Sequence, residues 1–180
     1  MLSKQRIIPA ISNHQDLKKF LSLPLDYGIL MNFQLAQLPE LVSLMKAHKK
    51  KVLIHAELIK GLSSDEFGAI YLIQNLSVDG IISSKQKVIE LCKKRKVLSI
   101  FRFFLKDSLS LAQSLEVAKK TQPDFLEILP ALAYEIVPTL KKQTDIEIIM
   151  GGLIQSQEQI NRSIKSGAIA VTVSNSDLWQ

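Results

Sequence analysis

Four side chains able to do acid–base or ionic chemistry fall at strand-like spacing in this chain. In "LIHAELIKGL" (53–62) the two-residue alternation of a strand puts Leu53, His55 and Glu57 on one face. "IFRFF" places Arg102 late in a second apolar run, "FLEILP" places Glu127 late in a third, and "ILMNFQ" ends a fourth on Asn32. Asp65, Ser83, Asp107 and Thr172 fall at the same ends of their runs or in the loops that follow. A histidine, an arginine and two glutamates in one narrow space are costly unless they pair or a ligand holds them. Two compatible readings follow. Arg102 neutralises Glu127 or Glu57 while His55 hydrogen-bonds within the core, or the same groups face a small polar ligand. Ionised Glu57 and Glu127 only accept hydrogen bonds, so a ligand held by them must donate.

A second pattern concerns bare backbone. "MGGLI" (150–154) puts Gly151 and Gly152 straight after an apolar run, and "AIAVTVSNS" (168–176) closes the next run on Ser174, Asn175 and Ser176. A glycine turn after one strand and a small polar loop after its neighbour expose N–H groups, the usual device for holding a phosphate. Either glycine alone is explained as well by a tight turn that needs positive φ. The pair of loops favours phosphate, with Arg102 adding charge.

The elements that must position these residues alternate regularly. Runs rich in β-branched residues occur at 6–11, 27–32, 51–58, 79–83, 97–103, 124–129, 146–150 and 168–173. Seven segments with helical spacing lie between them, as in "LPELVSLMKAHKK", where Leu38, Leu41, Val42 and Met45 recur at three- and four-residue steps. Asn13, Ser64 and Ser84 stand where N-caps belong, the last helix starts near Ser156, and Gly167 follows it as a C-cap should. The alternation implies parallel strands and right-handed crossovers. The expected fold is α/β: a single domain over 1–180, a compact (β/α)8 TIM-type barrel lacking the last helix. An open doubly wound sheet is the alternative. In such a barrel the functional groups gather at the carboxyl ends of the strands, and phosphate loops follow strands seven and eight. Both patterns then converge on one mouth.

Composition narrows the setting. The hydrophobic content is 47% and the aromatic content 6%, which suits an α/β core. A lone cysteine, Cys92, excludes a disulfide framework and a cysteine-rich zinc site. No apolar stretch is long enough for a signal peptide or a membrane span, so the expected setting is cytoplasmic with no membrane partner. The net charge of +6 permits an anionic partner. The cations gather near helix ends: Lys18 and Lys19, Lys46, Lys49, Lys50 and Lys51, Lys93, Lys94, Arg95 and Lys96, Lys119 and Lys120, Lys141 and Lys142, and Lys165. They complement helix dipoles there, and would ring the amino end of the barrel. Lys49 to Lys51 and Lys93 to Lys96 are the candidates for RNA phosphates, although no aromatic RNP-like string, GXXG clamp or arginine-rich tract accompanies them.

The strings "RIIPAI", "KVLIHAELIKGLSSDEFGAIYL", "DGIISSKQKVI", "QPDFLEILPA", "GGLIQSQEQI" and "SGAIAVTVSNSDLW" resemble, in order from Ile7 to Trp179, the glycerol-uptake operon antiterminator regulatory protein family. The resemblance implies a non-catalytic regulator that senses glycerol 3-phosphate as effector, without another cofactor, and binds the leader mRNA of glycerol-utilisation genes. Motif by motif it carries His55, Glu57, Gly61, Ser83, Glu127, Gly151, Gly152, Ser174 and Asn175 to the ligand site; Arg102 joins them on its charge. Ala131 departs from the glycine expected after "ILP".

The competing reading is a TIM-barrel enzyme acting on a small phosphorylated metabolite, with His55, Glu57 and Glu127 as acid and base. His55 and Glu57 have the HxE spacing of a metal-assisted phosphodiesterase, but His14 and His48 fall at a helix start and a helix end, badly placed to complete a metal site. Lys60 and Lys106 fall in loops, leaving no strand lysine for Schiff-base chemistry. Trp179 has no eighth helix to pack under; it fills the gap in the helical ring or joins a second copy as a homodimer.

Overall fold

Apolar residues at consecutive positions make strands buried on both faces, and eight such strands form here. They are β1 (Ile7–Ile11), β2 (Tyr27–Leu30), β3 (Lys51–His55), β4 (Gly80–Ser83), β5 (Leu98–Phe104), β6 (Phe125–Leu129), β7 (Glu147–Gly151) and β8 (Ala170–Val173). Each pairs in parallel with the next, and β8 pairs with β1 through Ile7↔Val171 and Ile8↔Thr172, so the sheet closes into a barrel. The computed structural model, which describes residues 2–180, surrounds it with α1 (His14–Ser22), α2 (Leu38–Ala47), α3 (Glu66–Gln74), α4 (Gln86–Arg95), α5 (Ser108–Thr121), α6 (Val137–Lys141) and α7 (Gln157–Lys165). The open sheet is thereby excluded.

Strand alternation sorts the side chains into two cores. Ile8, Ile29, Leu53, Ile82, Ile100 and Ile149 fill the inside of the barrel, with Leu2 packed against them. Their neighbours one residue away, such as Ile7, Val52, Ile54, Ile81 and Ile148, point outward and join the helices, including Phe20, Leu41, Met45 and Leu115. At the amino end, buried Gln5 clasps the first two strands: its amide donates to the carbonyls of Ile7 and Tyr27 and accepts from the N–H groups of Asp26 and Tyr27.

Local signals decide most boundaries. Asn13 caps α1 by accepting from the Asp16 N–H at 2.8 Å, Ser156 and Gln159 form a capping box on α7, and Gly167 follows α7 with φ +107°. Two expected caps fall elsewhere. Asp65, rather than Ser64, caps α3, because its carboxylate accepts from both Phe67 and Gly68 N–H groups; α4 begins after Lys85, which offers no side-chain cap. The sixth helical segment is mostly a 3-10 helix, Ala131–Ile136, before the short α6.

Two further differences matter for the mouth. The third strand ends at His55, and Ala56–Leu58 form a 3-10 turn, so Glu57 does not share a strand face with His55. The turn is set by the loop after β2, where Asn32 N–H donates to Leu58 O at 2.7 Å and Lys60 N–H to Phe33 O at 2.9 Å. After β8 the chain makes a short 3-10 turn, Ser176–Leu178, and seats Trp179. That side chain is 1% exposed in its own barrel, and its indole N–H donates to Val173 O at 2.8 Å. Among the described residues no helix is long and apolar enough to cross a membrane.

Candidate functional site

Strand parity aims the late inward residues of each strand at one cavity of about 110 Å³ at the carboxyl end of the barrel. His55, Arg102, Glu127, Thr172, Gly152 and Ser174 supply its polar lining; Ala10, Ile29, Met31, Leu58, Ile82 and Leu129 supply its apolar part. The expected His–Arg–Glu cluster therefore exists. Thr172 Oγ1 donates to Glu127 Oε1 at 2.6 Å, and Arg102 Nε stands 3.7 Å from Glu127 Oε2. Glu57 reaches the cluster from its 3-10 turn: Oε1 accepts from Ser83 Oγ and from the Ser84 N–H, while Oε2 stands 3.5 Å from His55 Nδ1.

Burial dominates the electrostatics. It pushes the His55 imidazole down to a pKa of about 3, with the Arg102 charge adding to the effect, so the ring is neutral at physiological pH. The ring that His55 turns toward Glu57 is therefore neutral. Glu127 is raised above the ordinary carboxylate range because burial outweighs the help of Arg102 and Thr172. Both ring nitrogens of His55, Oε2 of Glu57 and Oε2 of Glu127 are buried without a hydrogen-bond partner among the described residues. Buried polar atoms are rarely left so; His55 and Glu127 line the cavity, and Glu57 stands behind His55.

The glycine pair divides into two roles. A Cβ on Gly151 would lie 2.2 Å from Thr172 Oγ1 and 2.8 Å from Glu127 Oε1, so Gly151 makes room for that hydrogen-bonded pair. Gly152 adopts φ +78°, followed by Leu153 at φ +61°, and lines the cavity itself. The N–H groups of Gly152, Leu153, Ser174 and Asn175 find no acceptor among the described residues. Ser174 lines the cavity; Asn175 turns its side chain to accept from Asp177 N–H at 3.1 Å. Gly61, with φ +87°, lies instead in a groove with Gln34, Leu35 and Tyr71.

Other expectations are corrected. Asp65 and Asp107 lie in the loops after β3 and β5, as expected, but there they cap α3 and α5 and do not line the cavity. Asn32 lies beyond β2 at φ +63° and is not among the lining residues. Lys51 opens β3, at the amino end and far from the cavity chemistry. Ala131 does not have the left-handed backbone that would call for a glycine, and its N–H donates to Gly152 O at 3.2 Å. Among the described residues no group of three His, Cys, Asp or Glu side chains is arranged to hold a metal. The sequence patterns passed over the apolar lining at Ala10, Ile29, Met31 and Ile82, although strand parity alone would have found it.

The RNA-candidate cations separate into anchored and free groups. Lys50 donates to the carbonyls of Leu23 and Leu25 and stands 5.1 Å from the Phe20 ring centroid. Lys51 pairs with Asp79 at 2.9 Å and Lys93 with Asp124 at 2.7 Å. Lys49, Lys94, Arg95 and Lys96 are exposed.

Comparison with known proteins places this site in context. The model of the family described as "Glycerol-3-phosphate responsive antiterminator" matches residues 7–179. The chain belongs to that family. Its barrel is similar to the crystal structure of a glycerol uptake operon antiterminator regulatory protein from Listeria monocytogenes, with 42% identity, a TM-score of 0.93, and coverage of 97% of this chain and 95% of that one. A glycerol uptake operon antiterminator-related protein from Thermotoga maritima, at 22% identity, shares the fold with a TM-score of 0.81 over 97% of this chain and 98% of that one. The chain is also 24% identical to the uncharacterized protein YgcP of Escherichia coli over 99% of its length and 94% of that protein's. The antiterminator family is one of regulators that respond to a phosphorylated polyol, and the mouth of this barrel offers groups suited to one.

Proposed function

We propose that this antiterminator binds glycerol 3-phosphate in the barrel mouth and, when occupied, acts on the leader mRNA of glycerol-utilisation genes. The phosphate sits against the N–H groups of Gly152, Ser174 and Asn175, with Arg102 supplying charge. The glycerol hydroxyls turn inward to Glu57 Oε2, Glu127 Oε2 and the neutral His55 ring. The observation that carries this reading is a cavity of about 110 Å³, small enough to favour a three-carbon skeleton, lined by His55 and Glu127 with buried, unpartnered polar atoms and backed by the unpartnered Oε2 of Glu57. Ser83 and Gly151 act behind this layer, Ser83 by holding Glu57 and Gly151 by admitting the Glu127–Thr172 pair. The site recognises and does not catalyse, and the effector is the small molecule it requires. Any homodimer must use a surface other than Trp179, which its own barrel buries.

Calorimetric titration tests this. Glycerol 3-phosphate should bind saturably and without turnover, and more tightly than glycerol or inorganic phosphate. Gly152→Asp sets a carboxylate beside the phosphate and should weaken binding about 100-fold or more, since a buried like charge costs about 3 kcal/mol. Because Gly152 has φ +78°, Arg102→Gln serves as a second variant without backbone strain and should weaken binding at least about tenfold. Heat from turnover would replace the sensor with the enzyme reading; absence of binding would reduce the glycine pair to a turn.

A further inference from the structure

The two ends of the barrel carry opposite charge. Every helix except α3 bears a cation in its last turn, at the amino end of the strands. Asp16, Glu40, Glu66 and Glu158 occupy first turns, at the mouth end. Helix dipoles account for the sign at each end but not for the density of free charge around α4 and α5. There Lys94, Arg95, Lys96, Lys119 and Lys120 are all exposed.

Two grooves cross this part of the amino end. One, of about 460 Å³, is lined by Lys93, Lys96, Val97, Leu98 and Asp124. The other, of about 480 Å³, includes Lys93, Lys119, Gln122, Pro123 and Asp124. They meet at the Lys93–Asp124 ion pair, which neutralises the acid at the junction. Asp145 and Glu147 line the far end of the second groove and bound the basic track there. Of the large exposed apolar residues, Phe67, Phe104, Leu109, Leu132 and Leu153 belong to the mouth end and Leu44 to α2, and none lines either groove. The lining charges of the two grooves balance, Lys93, Lys96 and Lys119 against Asp124, Asp145 and Glu147, so the excess positive charge lies on the exposed Lys94, Arg95 and Lys120 beside them. A protein partner needs an apolar interface core; an exposed cationic face of this kind suits a flexible polyanion.

Resting on the proposed function for the choice of polyanion, we propose that the exposed cationic face at the ends of α4 and α5, beside these grooves, forms the RNA-docking track. The sugar–phosphate backbone of single-stranded RNA runs across it, held by Lys94, Arg95, Lys96, Lys119 and Lys120. RNA and effector then occupy opposite ends of the barrel. The contacts go to phosphate, so this track supplies affinity and salt dependence, and no base readout.

Two variants with equal net charge test the placement. Lys94→Gln/Arg95→Gln/Lys119→Gln/Lys120→Gln removes four of the five cations of the track, and Lys60→Gln/Lys85→Gln/Lys87→Gln/Lys106→Gln removes the same charge from the mouth end. Binding of a labelled 20-nucleotide oligo(U) is measured from low to moderate salt, with circular dichroism confirming that each variant is folded. The slope of log K against log salt should become shallower by about 3 in the track variant, at about 0.7 per lost phosphate contact, and stay near wild type in the other. Equal losses in both variants, loss only in the mouth-end variant, or failure of the wild type to bind oligo(U) overturns the proposal. Oligo(U) carries no leader sequence, so its result is separable from the function above. A wild type that binds oligo(U) through the track but does not respond to glycerol 3-phosphate keeps the track and loses the sensor.

Discussion

At the level of single residues, His55 shows what burial does to a titratable group that still faces a cavity. Its folded pKa of about 3 lies below the unfolded value of 6.5, so only the unfolded chain takes up this proton over most of the interval. The stability it contributes is complete above pH 6.5 and is lost as pH falls toward 3. Glu127 runs the other way: its raised pKa means that stability is lost as pH climbs above the usual carboxylate value. The two oppose each other in mildly acidic solution, so the whole-protein curve does not isolate either. The difference between wild type and His55→Gln does. In urea unfolding, moving from pH 7 to pH 5 should cost the wild type about 2 kcal/mol more than the variant. An unchanged difference would mean that His55 is solvated. Gly151 teaches a different lesson. Its lack of a side chain looked like backbone access for a ligand, and the structure shows space reserved for a carboxylate and a hydroxyl arriving from β6 and β8.

At the level of elements, the barrel was legible because both sides of each strand are apolar and each helix carries its own apolar stripe. Asn13 and Ser156 announced helix starts through their own side chains. What was not legible depended on partners remote in sequence. "LIHAEL" keeps strand parity through Glu57, yet β3 stops at His55 because the loop after β2 supplies acceptors and donors for a turn there. The cluster of His55, Arg102 and Glu127 was readable from parity; the clamp of Ser83 on Glu57 was not, since it needs the turn to be known first. Trp179 closes the shell over β8 with one buried ring and one hydrogen bond. Trp179→Ala should lower unfolding free energy in urea by about 3–5 kcal/mol, whereas Trp179→Phe should recover most of it and lose about 1 kcal/mol for the indole N–H. A loss below about 1 kcal/mol for the alanine variant would show that the tryptophan is a passenger.

At the level of the whole molecule, effector and fold are thermodynamically linked. Four buried polar atoms that lack partners penalise the ligand-free state, and a ligand that binds only the folded barrel stabilises it by about 2.7 kcal/mol at a hundredfold excess over Kd. Thermal melts should therefore shift upward with glycerol 3-phosphate and stay put with glycerol, and the shift should vanish in Arg102→Gln. Identical midpoints with and without the phosphate ester would break the link.

Closure of the barrel has a consequence for how the chain folds. The seam joins Ile7 to Val171, nearly the full length of the chain apart, so it belongs to the slow, long-range class of contacts. Until it forms, β1 and β8 are bare edges made of "IIPAI" and "AVTV", uncharged and sticky, the composition that seeds strand-on-strand aggregation. Pro9 sits in the middle of one of them with no N–H to offer a stray strand. The first strand thus carries its own gatekeeper for the interval before the ring is sealed.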